Sequence, residues 1–137
     1  MKGKYPQMII DIDTVNERSE ICLVGEDCQM IRAQTIANKE AAEKILTTLA
    51  DLCSANNLNL SDLLAVTVNL GPGSYTGQRI GVTTANLIAF SLCLPVVGYE
   101  NGRKQEAFEK IKKSRIVKGF EPVSPLYAHP PAITQKR

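Results

Sequence analysis

The polar and apolar positions of this chain change period twice. Met8-Ile9-Ile10-Asp11-Ile12-Asp13-Thr14 alternates, which puts Asp11 and Asp13 on one face of a strand and Ile10 and Ile12 on the other. Ser19 to Val24 and Cys28 to Ala33 read as two more strands, joined by the polar turns Val15 to Arg18 and Gly25 to Asp27. Short turns between consecutive strands predict an antiparallel meander. From Asn38 the period lengthens: Ala41, Ile45, Leu49, Leu52 and Cys53 fall at helical spacing, with Asn38 as the predicted N-cap and Asn56-Asn57 as the stop. The continuous apolar run Leu63 to Asn69 reads as a buried strand. A Gly-Pro-Gly turn, a helix over Thr83 to Leu94 and a strand at Leu94 to Gly98 then complete a βαβ unit with parallel strands. A charged helical stretch from Arg103 to Lys113 follows, with Ala107, Phe108 and Ile111 as a narrow apolar face. Residues 119–137 hold four of the seven prolines and read as an extended tail.

The chain has 137 residues, enough for one domain with a real core. Its 44% hydrophobic and 22% charged residues are those of an ordinary globular protein. No apolar run approaches the ~20 residues of a membrane span. The charged start predicts no signal peptide, and the four cysteines form no CxxC pair, so buried reduced thiols and a cytoplasmic location are expected. Charge is uneven. Residues 1–102 carry seven basic and eleven acidic residues, whereas 103–118 carry seven basic and two acidic. That basic segment is a solvated helix face or a site for tRNA.

Two stretches invite chemistry. Asp11 and Asp13 can form an acidic metal site, as in a metal-dependent ribonuclease H-like nuclease or phosphotransferase, if further carboxylates converge on them; Glu43, Asp51 and Asp62 are the candidates. Gly71-Pro72-Gly73-Ser74-Tyr75-Thr76-Gly77 joins a strand to a helix, where a phosphate can sit on the helix N-terminus. It is neither a Walker A loop, since no Lys-Ser or Lys-Thr pair follows, nor GxGxxG, since the second gap is one residue too long. Ser74 is the predicted helix N-cap. His129 is the sole histidine, and no serine or cysteine nucleophile set can be assembled around it. Gly77, Gly81, Ala85 and Ala89 recur every fourth residue. Such a stripe of small side chains permits close approach, either of the chain's own sheet or of a helix from a partner subunit.

Gly71-Pro-Gly-Ser-Tyr-Thr-Gly-Gln-Arg-Ile-Gly81 resembles the signature of the TsaB (YeaZ) family. Asp13-Thr14, Leu60-Ser61-Asp62-Leu63 and Pro95-Val96-Val97-Gly98 resemble the same family in the same order, so the likeness covers about residues 8–100. The resemblance implies an α/β fold of the actin-like ATPase (ASKHA, ribonuclease H-like) type, in which a mixed five-stranded sheet has three antiparallel strands followed by a βαβ unit. It implies a non-catalytic subunit, with no cofactor, for N6-threonylcarbamoylation of adenosine 37 in tRNAs reading ANN codons. The implied partners are a TsaD-type transferase and a TsaE-like ATPase in the wider complex. A homodimer through the same surface is also implied, and tRNA would be met only indirectly. Joined to the small-residue stripe, it predicts a partner interface at Gly77, Gly81, Thr84, Ala85, Ile88, Ala41, Ile45 and Leu49. Three departures stand out, the first being that the family's second domain is nearly missing. The family's His-Ser-Glu near the first helix reads Ala41-Ala42-Glu43, and Gln78 replaces a usual leucine. The expected organisation is a family-like domain at 1–100, a basic helix at 101–118 as the remnant of the second domain, and a Pro-rich tail at 119–137. A one-domain chain should lack the nucleotide cleft that such folds build between domains.

Overall fold

The computed structural model describes residues 7–113 and 120–128. Five strands form one sheet: β1 (Met8–Asp13), β2 (Ser19–Val24), β3 (Met30–Ile36), β4 (Leu63–Gly71) and β5 (Val96–Glu100). Their order is β3-β2-β1-β4-β5. β1 is antiparallel to β2 and β2 to β3, while β1–β4 and β4–β5 are parallel. This is the expected mixed sheet. The three helices are α1 (Ala41–Ala55), α2 (Tyr75–Leu92) and α3 (Lys104–Lys113).

Alternation along the strands sorts the core into two layers. Ile10, Ile12, Ile21, Leu23, Val66 and Val68 face α1 and α2, where Ile45, Leu49, Ala85, Ile88 and Ala89 meet them. Each fully buried aliphatic side chain of this kind contributes roughly 1.5–3 kcal/mol. Ile9, Cys22, Val24 and Ala65 point to the opposite face and meet Phe108 and Ile111 of α3. Cys22, Cys28 and Cys53 are buried, Cys93 is exposed, and all four are free thiols. Among the described residues, no helix is long and apolar enough to cross a membrane.

Several boundaries differ from the sequence expectation. α2 begins at Tyr75, eight residues before Thr83, because Ser74 caps it directly by accepting a hydrogen bond from the Gly77 N–H at 3.0 Å. Gly77 and Gly81 in its first turns are accommodated because their lack of side chains is used, as described below. Asn38 does not cap α1. A single 3-10 turn (Asn38–Glu40) precedes that helix, and the Asn38 amide binds Ser19 Oγ at 2.7 Å and the Asn16 and Glu17 carbonyls. β3 runs to Ile36 and β5 to Glu100, two or three residues further than the apolar pattern implied, because Ile36 and Tyr99 near these ends turn inward and are buried. Residues 120–128 carry no helix or strand, as the prolines predicted. His129 and the basic residues beyond Lys113 lie outside the described residues.

Candidate functional site

The Gly-Pro-Gly turn and the start of α2 are shaped by the end of β1. A Cβ on Gly73 would meet the Val15 carbonyl, one on Gly77 the Thr14 carbonyl, and one on Gly81 the Thr14 Oγ1. The Thr14 hydroxyl donates to the Gly77 carbonyl at 2.5 Å, and the Ser74 N–H donates to the Val15 carbonyl at 3.0 Å. The spacing of the glycines thus records the passage of Thr14 and Val15 over one helix turn. No phosphate cradle is needed to explain it.

This settles what the small-residue stripe touches. Gly77, Gly81, Ala85 and Ala89 all face inward. Of the eight residues expected at a partner interface, Gly77, Gly81, Ala85, Ile88, Ala41, Ile45 and Leu49 are buried in the chain's own fold, and Thr84 is half-buried. Within this chain these side chains take part in intramolecular packing. Only Ala41 and Gly77 reach a small recess of about 180 Å³, shared with Thr14, Asn38 and Ile80. The outward positions of the same helices are different in kind. Leu46 on α1 is 51% exposed, and Leu87 and Phe90 on α2 are 54% and 66% exposed.

Asp11 and Asp13 point to the opposite face of the sheet, towards α3. Asp11 is fully buried and accepts hydrogen bonds from the Thr67 hydroxyl at 2.8 Å and the Tyr99 hydroxyl at 2.9 Å. The Lys104 ammonium lies 3.2 Å from Asp11 Oδ2 and 3.7 Å from Asp13 Oδ2. Asp13 also accepts from Asn69 at 3.2 Å and Asn16 at 3.3 Å. Burial pushes the Asp11 carboxyl above the usual range, against the lowering pull of Lys104, Thr67 and Tyr99. For Lys104, burial works to lower the value, but Asp11 and its neighbours outweigh it and hold the ammonium charged above its usual range. The buried Cys22 thiol beside this pair is pushed up to about 12 by burial and by Asp11. A metal site would need a third carboxylate here, yet Glu43 and Asp51 are exposed on α1 across the sheet. Asp62 is engaged elsewhere, closing a capping box with Asn59 before β4. Among the described residues no group of three metal-ligating side chains comes together. An internal ammonium stands where a cation would have to stand.

Lys104, Thr67 and Tyr99 carry this arrangement, and none of the three stands out in the sequence as a candidate site residue. Lys104 did leave a signal. It precedes Ala107, Phe108 and Ile111 at i, i+3, i+4 and i+7, so it lies on the apolar face of α3. A lysine there calls for a buried carboxylate. Gln78, noted only as a departure, is 1% exposed and donates to the Leu70 and Leu126 carbonyls at 2.7 and 2.8 Å. It ties the end of β4 to the tail.

The sheet order and the helices on both faces define an actin-like α/β fold. Comparison with known proteins agrees. The family described as TsaD, tRNA N6-adenosine threonylcarbamoyltransferase, matches residues 31–101. The Bacillus subtilis tRNA threonylcarbamoyladenosine biosynthesis protein TsaB is 36% identical over 88 residues, covering 64% of this chain and 38% of the relative. The Escherichia coli TsaB is 30% identical over 90 residues, covering 66% of this chain and 38% of the relative. The solved structure of YeaZ from Pseudomonas aeruginosa superposes with a TM-score of 0.60 at 25% identity, over 68% of this chain and 44% of that one. The chain belongs to the TsaB/YeaZ family within this wider group. Its matched part spans under half the length of these relatives.

Proposed function

We propose that this chain serves tRNA threonylcarbamoyladenosine biosynthesis as a non-catalytic docking subunit for a TsaD-type transferase. The observation that carries the reading is the commitment of both strand-end carboxylates to Lys104, which leaves the fold's polar layer filled by its own side chains. The family membership supplies the pathway. The docking surface in this reading is the outer side of α1 and α2, where Leu46 and Leu87 are exposed. A second copy of the chain competes for the same surface, a TsaE-like ATPase joins the transferase pair, and tRNA is met through the transferase.

The test is direct. The purified chain is mixed with a TsaD-type subunit, and complex formation is followed by size-exclusion chromatography and calorimetry. The expected result is a stoichiometric complex that Leu46→Glu together with Leu87→Glu weakens at least tenfold while the melting temperature holds. A complex indifferent to that pair refutes the surface. Magnesium-dependent turnover of a nucleic acid or nucleotide, abolished by Asp11→Asn, refutes the non-catalytic role.

A further inference from the structure

Residues 120–128 run along the outer flank of α2 in the opposite direction to the helix. Phe120 packs edge-on against Phe90 with ring centroids 5.5 Å apart, and Tyr127 stacks on Tyr75 at 4.6 Å. Between these ends the backbone is read by side chains. The Asn86 amide donates to the Val123 carbonyl and accepts from the Val123 N–H, both at 3.0 Å. Gln78 donates to the Leu126 carbonyl at 2.8 Å, and the Leu126 N–H donates to the Leu70 carbonyl at 2.8 Å. Every residue of the segment keeps some solvent exposure: Phe120 and Val123 rest half-buried on the edge of the core beneath α2, and the remainder is held by this polar reading and the aromatic ends.

The lengths match. From Tyr75 to Phe90 an α-helix rises about 22 Å. From Phe120 to Tyr127 a polyproline II chain also rises about 22 Å. Pro122 and Pro125 restrict the segment towards that extended form before it binds, which reduces the entropy lost on docking. Backbone pairing in the middle and aromatic rings at the ends are how grooves take extended proline-containing peptides.

We infer that the outer flank of α2 is a recognition groove for an extended proline-containing peptide, and that residues 120–128 are its detachable ligand, bound in cis. Release uncovers Gln78 and the half-buried Asn86, and frees the remaining covered faces of Tyr75 and Phe90, which like Leu87 are already partly open to solvent. The inference stands independently of the function proposed above.

Two measurements on the full chain test it. In hydrogen exchange, the Val123 and Leu126 amides are expected to open together, at least 100-fold more often than the amides of β1 and β4. Exchange only through global unfolding overturns the inference. In the second, Val123→Pro with Leu126→Pro removes both N–H donors and empties the groove while altering no residue of the sheet. A fluorescent peptide of sequence 120–128 is expected to bind this variant saturably and at least tenfold more tightly than the unaltered chain, whose groove is occupied. Adding Asn86→Ala should reduce that binding at least tenfold. Equal binding to the closed and opened chains, no binding to either, or indifference to Asn86→Ala overturns it. Should the proline variant fail to fold, the exchange experiment decides alone.

Discussion

The two faces of the sheet are built from the same strands and held by different physics. Towards α1 and α2, β1 sends Ile10 and Ile12 into an apolar layer that closes by shape, with glycines and alanines on α2 admitting the end of β1. Towards α3, the intervening Asp11 and Asp13 enter a layer closed by charge, with Lys104, Thr67 and Tyr99 as partners. A shape-closed face tolerates loss of a contact in proportion to the volume lost. A charge-closed face fails when one partner leaves, because the other remains buried and unpaired.

The largest effect should therefore come from one lysine. Lys104→Met keeps the stem's packing and removes the charge, leaving Asp11 buried without a counter-charge. A loss of about 3–5 kcal/mol is expected in urea unfolding at pH 7. The sign with pH follows. Asp11 already has a raised folded value, and without Lys104 it rises further. A raised carboxyl contributes its stability below the unfolded value near 3.8 and loses it as pH climbs through the folded value. The variant should approach the parent near pH 4 and fall away towards pH 7, and adding Asp11→Asn should flatten that difference. A pH-independent gap would mean that the pair is not what holds α3.

The same pair can be broken without mutation. Lys104 has a folded value above its usual 10.5, so its stabilising charge is complete below pH 10.5 and lost as pH rises through the folded value. The parent's stability should therefore sink towards that of Lys104→Met on the alkaline side. Cys22, raised from 9.0 to about 12 with Lys104 among the groups that act on it, adds an alkaline loss of the same sign, so both proteins are compared in a Cys22→Ala background. Parallel curves up to pH 12 would separate the ammonium from the stability of this face.

Much of this contrast was legible in the residues. Alternation placed Asp11 opposite Ile10, and the meander and the βαβ unit followed from period and turn length alone. The owner of the small-residue stripe was not legible. Spacing reports that something passes close to Gly77 and Gly81, but it cannot say whether that is Thr14, 63 residues earlier, or a partner's helix. The family signature did not decide it either. A motif kept for internal packing and one kept for docking carry the same letters. Lys104 was readable in principle as a charge on an apolar helix face, but only Asp11 on the facing strand gives that charge a reason.

The shape-closed face gives a finer test, because its two glycines meet different atoms of Thr14. A side chain on Gly81 meets the Thr14 hydroxyl, whereas one on Gly77 meets the Thr14 carbonyl. Gly81→Ala and Gly77→Ala should each cost about 1–3 kcal/mol by overpacking. Thr14→Ala removes the hydroxyl and leaves the carbonyl, so it should rescue part of the Gly81 variant and none of the Gly77 variant. A double-mutant cycle with equal coupling for both would place the strain elsewhere. Gly81→Leu is for the same reason a poor probe of any partner, since it strains the fold before it reaches a surface.

Smaller again is Gln78→Leu, which restores the residue usual in the family signature. It leaves the Leu70 and Leu126 carbonyls without their shared donor, so a loss of about 1 kcal/mol is expected, with faster exchange at Leu126 as its local signature. The smallest stability effect belongs to α2's outward side. Leu87 is 54% exposed and its neighbour Ile88 only 5%. Leu87→Glu should leave stability within about 0.5 kcal/mol, while Ile88→Ala, one residue away but inside the shape-closed face, costs about 2–5 kcal/mol. If Leu87→Glu also leaves binding to a TsaD-type subunit intact, the outer side of α2 is ordinary surface and docking must be sought elsewhere. If it weakens the complex at unchanged melting temperature, one helix serves both purposes: its glycines hold the end of β1, and its opposite side holds the partner.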